Sequence, residues 1–188
     1  QQHVRAQRER ASDGDALLLP TGQELRIAHP PGVPMLAELL YGRPGFLLRR
    51  AHQISVSIFE EACSPLTLTP GQFSVLAVLQ ADPTLEQSSV ARAIGLDKVT
   101  VSLLLRGLEA PGLVHPRPDL KNRRRRVLTL TPQGQDLMRR SRGPTDAAYE
   151  RLMAPFDAQQ RASLLQLLQQ LVSTLEPCSR APLQPLQH

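Results

Sequence analysis

Four residues limit the folds open to this chain. Ile94-Gly95-Leu96-Asp97 separates two short stretches, each with helical apolar periodicity. The first, residues 85–94, ends at Gly95, the residue type that most easily takes the left-handed conformation closing a helix. The second, from Lys98 to about Ala110, starts behind Asp97, whose carboxylate suits an N-cap, and stops at Pro111-Gly112. Val101, Leu104, Leu105 and Leu108 recur on one face of it. Two short helices joined by a tight glycine turn form a helix-turn-helix arrangement. Many helical cores read the same way, so the turn alone does not decide what the chain does.

The residues that follow narrow the choice. Leu113-Val114-His115 is β-prone and residues 116–122 are rich in turn formers. Arg126-Val127-Leu128-Thr129-Leu130 then alternates at strand period, which places Leu128 and Leu130 on one face. A strand, a basic tip and a returning strand directly after a helix-turn-helix make a wing. Residues 117–126 hold six cations (Arg117, Lys121, Arg123, Arg124, Arg125, Arg126) against one anion, Asp119. That segment accounts for the whole net charge of +5; elsewhere cations and anions are equal in number. Such a focus points to a polyanion, nucleic acid first, where an isolated charge run would read as a solvated loop.

The rest of the pattern is mostly helical. Leu47, Ala51, Ile54, Ile58 and Ala62 mark one stripe of a helix allowed between Gly45 and Ser64. Thr69-Pro70 opens the next helix, to about Gln80, with a cap and a proline at its first position. Thr131-Pro132 repeats that start; the helix it opens heads for Met153, with a kink or break expected at Gly143-Pro144. In the last helix, residues 158–175, Leu164, Leu167, Leu168, Leu171 and Leu175 form a stripe that Leu165 and Val172 widen. That is more apolar surface than one small lobe needs. Residues 1–41 read as an extension, disordered over 1–15 with a short helix at 34–41, and residues 177–188 as a flexible tail carrying three prolines.

Several classes are excluded. No run approaches the ~20 apolar residues of a membrane span, and the basic start lacks the apolar centre of a secretory signal. Cys63 and Cys178 cannot build a disulfide framework and suit a reducing, cytoplasmic setting. There is no Gly-rich phosphate loop, no His-Glu-x-x-His and no Gly-x-Ser-x-Gly, and the histidines and cysteines show no metal-ligand spacing. The sequence therefore indicates no enzyme, no metal and no cofactor. Only six aromatics occur and none interleaves with the basic run, which argues against single-stranded RNA.

From about Gly42 to Leu175 the chain resembles the MarR family of winged-helix transcriptional regulators. The resemblance rests on Leu68-Thr69-Pro70-Gly71-Gln72-Phe73, on Val90-Ala91-Arg92-Ala93-Ile94-Gly95-Leu96, and on Lys98-Val99-Thr100-Val101-Ser102. Leu108-Glu109 running into Gly112-Leu113-Val114, and the wing from Arg123-Arg124 to Leu130-Thr131-Pro132-Gln133-Gly134, complete it. It implies a mainly α fold with a small β-wing: a winged helix-turn-helix lobe at about 66–131, and dimerisation helices at about 44–64 and 132–176. It also implies a homodimer with the first, fifth and sixth helices interleaved, commonly a repressor. Two positions depart from the family pattern. Asn122 stands where the wing usually carries Asp, and Leu103 where the recognition helix often carries a cation.

On this reading Lys98, Thr100, Ser102 and Arg106 lie off the apolar stripe and face outward together. Thr100 and Ser102 are candidates for base edges or phosphates, Lys98 and Arg106 for phosphates or guanine. Leu103 either touches a thymine methyl or packs against the protein. Ser88 and Ser89 are candidate phosphate contacts. At the wing tip Arg124, with Arg123 and Lys121 beside it, is the candidate for a narrow minor groove, and one of Arg125 and Arg126 is expected at phosphate. Two lobes on a two-fold axis would read a pseudo-palindromic operator in double-stranded DNA. The resemblance further implies release by a small ligand, an aromatic acid or aromatic acyl-CoA thioester, with Arg49, Arg50 and His52 as candidate contacts. Two alternatives stay open: a winged-helix protein–protein adaptor, and a redox-sensing regulator. The latter is opposed by Glu60 and Glu61 beside Cys63, which raise a thiol pKa.

Overall fold

A computed structural model describes residues 39–119, 122 and 125–186. The expectations for residues 1–38, for Lys121, Arg123 and Arg124, and for residues 187–188 lie outside the described residues. By internal contacts the chain divides into residues 1–51 and 52–188. In the first unit residues 39–41 are helical, and the Arg43 N–H donates to the Leu40 carbonyl at 3.1 Å. There Tyr41 meets Phe46 edge-on at 5.2 Å, and the Arg49 guanidinium lies 5.1 Å from the Phe46 ring centre. Helix α1 (Pro44–Ala62) starts in this unit and ends in the next. None of its residues is buried; Leu47 and Ile54 of the expected stripe are each 44% exposed.

The second unit continues through α2 (Pro70–Ala81), α3 (Gln87–Ile94) and α4 (Lys98–Glu109). A hairpin of β1 (Val114–Pro118) and β2 (Arg126–Leu130) follows, then α5 (Pro132–Met153) and α6 (Ala158–Leu175). Single 3-10 turns lie at Ser64–Leu66 and Glu176–Cys178. The fold is thus mainly α with a two-stranded wing. Its core is built where α2, α3 and α4 meet: Leu76, Leu79, Val75, Val90, Val101 and Leu108 are essentially inaccessible. Burying each such side chain contributes about 1.5–3 kcal/mol. Cys63 lies in the same core, and the Phe59 and Phe73 rings pack 5.7 Å apart at its edge.

Local chemistry sets the boundaries. A reciprocal cap opens α2: the Gln72 N–H donates to Thr69 Oγ1, and the Thr69 N–H to Gln72 Oε1. Asp157 and Gln160 repeat it at α6. At the end of α3, Gly95 takes φ +64°, which lets the Leu96 N–H reach the Ala91 carbonyl at 3.0 Å. The strands pair antiparallel, Val114 opposite Leu130 and Pro118 opposite Arg126. The Leu128 N–H donates to the Leu85 carbonyl at 2.8 Å, docking β2 beside the entry to α3. Val127 is buried along with Leu128, so β2 is covered on both faces, where alternation alone predicted one.

Two other expectations are corrected in whole or in part. Of the kink or break expected at Gly143-Pro144 the break does not occur, since helix α5 is continuous from Pro132 to Met153. Gly143 has no Cβ to clash with the proline ring, and the carbonyl of Arg140, which loses its donor, belongs to an exposed residue. The segment after Cys178, read as loose, is packed onto the second unit: the Gln184 N–H donates to the Arg92 carbonyl at 2.8 Å, and Leu186 reaches the edge of the core. Its leucines are the apolar anchors that the proline count obscured. Helix α6 itself has no buried residue, and Leu167 is 64% exposed.

Candidate nucleic-acid interface

Helix α4 is aimed by its cap. The Val99 and Thr100 N–H groups both donate to Asp97 Oδ1 at 2.9 Å, and the Thr100 hydroxyl donates to Oδ2 at 2.6 Å. The Thr100 hydroxyl, followed by the Thr100 N–H, holds the Asp97 carboxyl below its usual pKa. Val101, Leu105 and Leu108 are buried and Leu104 is half-buried, so the opposite face is the accessible one. At 100° per residue that face is centred on Val99, Leu103 and Arg106, at i, i+4 and i+7.

Of the predicted recognition residues, Lys98 and Arg106 are exposed, and Ser102 is half-buried on the flank of this face. Thr100 is half-buried and its hydroxyl proton is directed at Asp97. Leu103 points outward, 58% exposed, and Val99 beside it is 70% exposed. Sequence reasoning passed over Val99, although the periodicity that selected the inward stripe also puts Val99 diametrically away from it. Ser88 and Ser89, in the first turn of α3, are half-buried; Ser89 Oγ accepts from the Arg92 guanidinium at 3.2 Å.

The wing leaves the lobe on two exposed arginines, Arg117 on β1 and Arg126 on β2. Its tip is drawn in by the Asp119 N–H, which donates to the Arg125 carbonyl at 3.0 Å, and by the Arg125 N–H, which donates to the Asn122 carbonyl at 2.8 Å. The Arg125 side chain turns back. It pairs with Glu86, the residue before α3, and with Asp119 at 3.6 Å. Of the two arginines expected on the returning strand, Arg125 is thus engaged with carboxylates and Arg126 is exposed.

A cleft of about 1020 Å³ opens between α2, the wing strands and α5. Phe73, Leu79 and Met138 give it apolar walls, and Arg117, Arg139 and Arg142 give it cations. Arg139 is ion-paired with Asp136. Arg49, Arg50 and His52, the ligand contacts expected from sequence, are exposed on α1 and are not among the lining residues, which run from 73 to 146. The cleft draws on three separate segments, so no local motif announces it. Cys63 is fully buried and burial raises its thiol pKa, the opposite of what a peroxide-sensing thiolate needs. Among the described residues no cluster of His, Cys, Asp or Glu is able to hold a metal, and no helix is long and apolar enough to cross a membrane.

Comparison with known proteins agrees with this geometry. Residues 68–125 match the MarR family. The chain is 31% identical over 133 residues to the transcriptional repressor NicR of Pseudomonas putida, covering 70% of this chain and 84% of that one. The structure of the repressor CouR bound to a 23-mer DNA duplex is 28% identical with a TM-score of 0.68, over 74% of this chain and 99% of that one. BpsR of Bordetella bronchiseptica, whose DNA binding is regulated by 6-hydroxynicotinic acid, is 28% identical with a TM-score of 0.65, over 69% and 93%.

Proposed function

Because the chain belongs to the MarR family, we propose that it is a dimeric transcriptional repressor, released from a pseudo-palindromic operator by an aromatic acid or aromatic acyl-CoA thioester. The observation that carries the DNA-binding part is the pairing of two surfaces. The outward face of α4 presents Val99, Leu103 and Arg106, and the hairpin beside it carries the chain's entire excess of positive charge. Phosphate neutralisation by Arg126 and the tip cations would supply affinity, and the α4 face would supply sequence preference. Val99 and Leu103 suit thymine methyls, and Arg106 suits guanine or phosphate. NicR and CouR are both repressors, and CouR is DNA-bound, which supports the same role here.

The ligand reading is supported by the cleft. Apolar walls with one aromatic ring, Phe73, and guanidinium groups on the same lining match a flat apolar body with an anionic end. BpsR, regulated by a hydroxylated pyridine carboxylic acid, supports that chemical class. A ligand there would touch both the winged lobe and α5, so it would favour whichever lobe angle fits it best; release follows if that angle misfits the operator. The exposed leucines of α6 and the exposed stripe of α1 support a second copy as their cover.

The test is a fluorescence-anisotropy titration against the duplex immediately upstream of the gene and a scrambled duplex, across a salt series. We expect a preference of ~10³-fold or more with a steep salt slope. Addition of benzoate-type acids or their thioesters to the complex should then lower anisotropy. Binding to neither duplex at low salt would overturn the reading in favour of a protein–protein adaptor.

A further inference from the structure

Beyond α6 the chain turns through Glu176–Cys178 and runs back onto the helix-turn-helix. The start of this return is organised locally: the Ser179 hydroxyl donates to the Ala181 carbonyl at 2.9 Å, and the Ala181 N–H donates to Ser179 Oγ at 3.3 Å. The Leu183 N–H donates to the Glu176 carboxylate at 2.7 Å, which fastens the segment to the end of α6. One residue later the Gln184 N–H donates to the Arg92 carbonyl at 2.8 Å. The Leu183 side chain covers Gly95, its Cδ1 lying 3.5 Å from where a Cβ would stand, and Leu186 packs at the edge of the core.

Both anchor points belong to the hinge of the DNA-reading unit. Arg92 is two residues before the end of α3, where helix carbonyls run out of partners. Within this turn the Arg92 carbonyl also accepts from the Gly95 N–H at 3.4 Å, a long bond beside the 2.8 Å one from Gln184. Gly95, at φ +64°, sets the angle at which α4 leaves α3. Adjacent residues therefore hold the end of α6 on one side and the α3–α4 turn on the other.

We propose that residues 179–186 are a strap that fixes the attitude of the recognition helix, with Leu183 and Gln184 as positioning residues for DNA reading. The proposal rests on the DNA-binding reading above. The strap makes the stance of α4 answer to α6, the helix whose leucine face awaits a second copy. Operator reading then depends on residues outside α3, α4 and the wing.

Three forms of the protein test this: the full chain, a chain ending at Cys178, and the full chain with Leu183→Asp. Leu183→Ala is the milder variant if either folds poorly. Amide exchange over residues 92–99, mass in solution, and affinity for operator and scrambled duplexes would be measured for each. We expect the mass to be unchanged and the turn amides to exchange on the order of tenfold faster. Operator affinity should fall on the order of tenfold, while affinity for scrambled DNA moves by less than about twofold. Unchanged exchange would overturn the strap. So would a lower melting temperature with the operator preference intact, which is the mark of bulk stabilisation only. Dissociation on truncation would also overturn it, assigning the segment to assembly. If the full chain shows no operator preference, the DNA reading fails, while the exchange result still judges the strap.

Discussion

At the scale of single residues, the face of α4 separates charge from shape. Leu103→Ala should weaken operator binding several-fold and leave the salt slope alone, because it removes an apolar contact and no cation. Arg106→Ala should flatten the slope by about one if it meets phosphate. A salt series on both variants distinguishes the two roles. Asp97 adds a pH dependence of known sign. Its folded pKa is lowered, so the cap contributes stability above the unfolded carboxyl value of about 3.9 and loses it as pH falls through the folded value. Melting between about pH 3 and 7 should show this loss in the wild type. Asp97→Asn should remove that titration while keeping a cap, and Asp97→Ala should lower the melting temperature at neutral pH. The inward residues of this helix were legible because period and polarity agree. Leu103 and Arg106 of the outward centre were named, and Val99 was missed because polarity drew attention to Lys98 and Thr100, when geometry alone selects Val99.

Elements rest on fewer residues than their length suggests. Gly134, in the first turn of α5, has the Leu113 carbonyl where a Cβ would stand, so any side chain must push the hairpin off the helix. Gly134→Ala should therefore cost about 1–3 kcal/mol, read by denaturant unfolding. The wing offers a second case. Sequence alternation placed Arg125 and Arg126 on opposite sides and left open which one reaches phosphate. The choice depends on Glu86, which is thirty-nine residues away and invisible to any local pattern. Arg126→Ala should flatten the salt slope by about one, and Arg125→Ala should not. Helix starts at Thr69-Pro70, Asp97 and Thr131-Pro132 were readable because caps are local chemistry. The continuity of α5 through Pro144 was not readable, because it depends on what surrounds the lost donor.

At the scale of the whole molecule, the proposed dimer turns on the leucines of α6. Leu167, Leu171 and Leu175 stand exposed along a helix with no buried residue, and Leu47 and Ile54 do the same on α1. Light scattering should give twice 20.8 kDa, and Leu167→Glu with Leu171→Glu should halve it. The sequence signalled this surplus as a stripe too wide for one lobe. It gave no sign of the cleft between α2, the wing and α5 or of the strap, both assembled from segments distant along the chain. The two thiols leave one practical legacy of the packing. Cys63 is sealed in the core, and Cys178 stands exposed at the root of the strap. A maleimide dye added to the native protein would thus attach at one address, and its brightness would follow the strap's docking in real time.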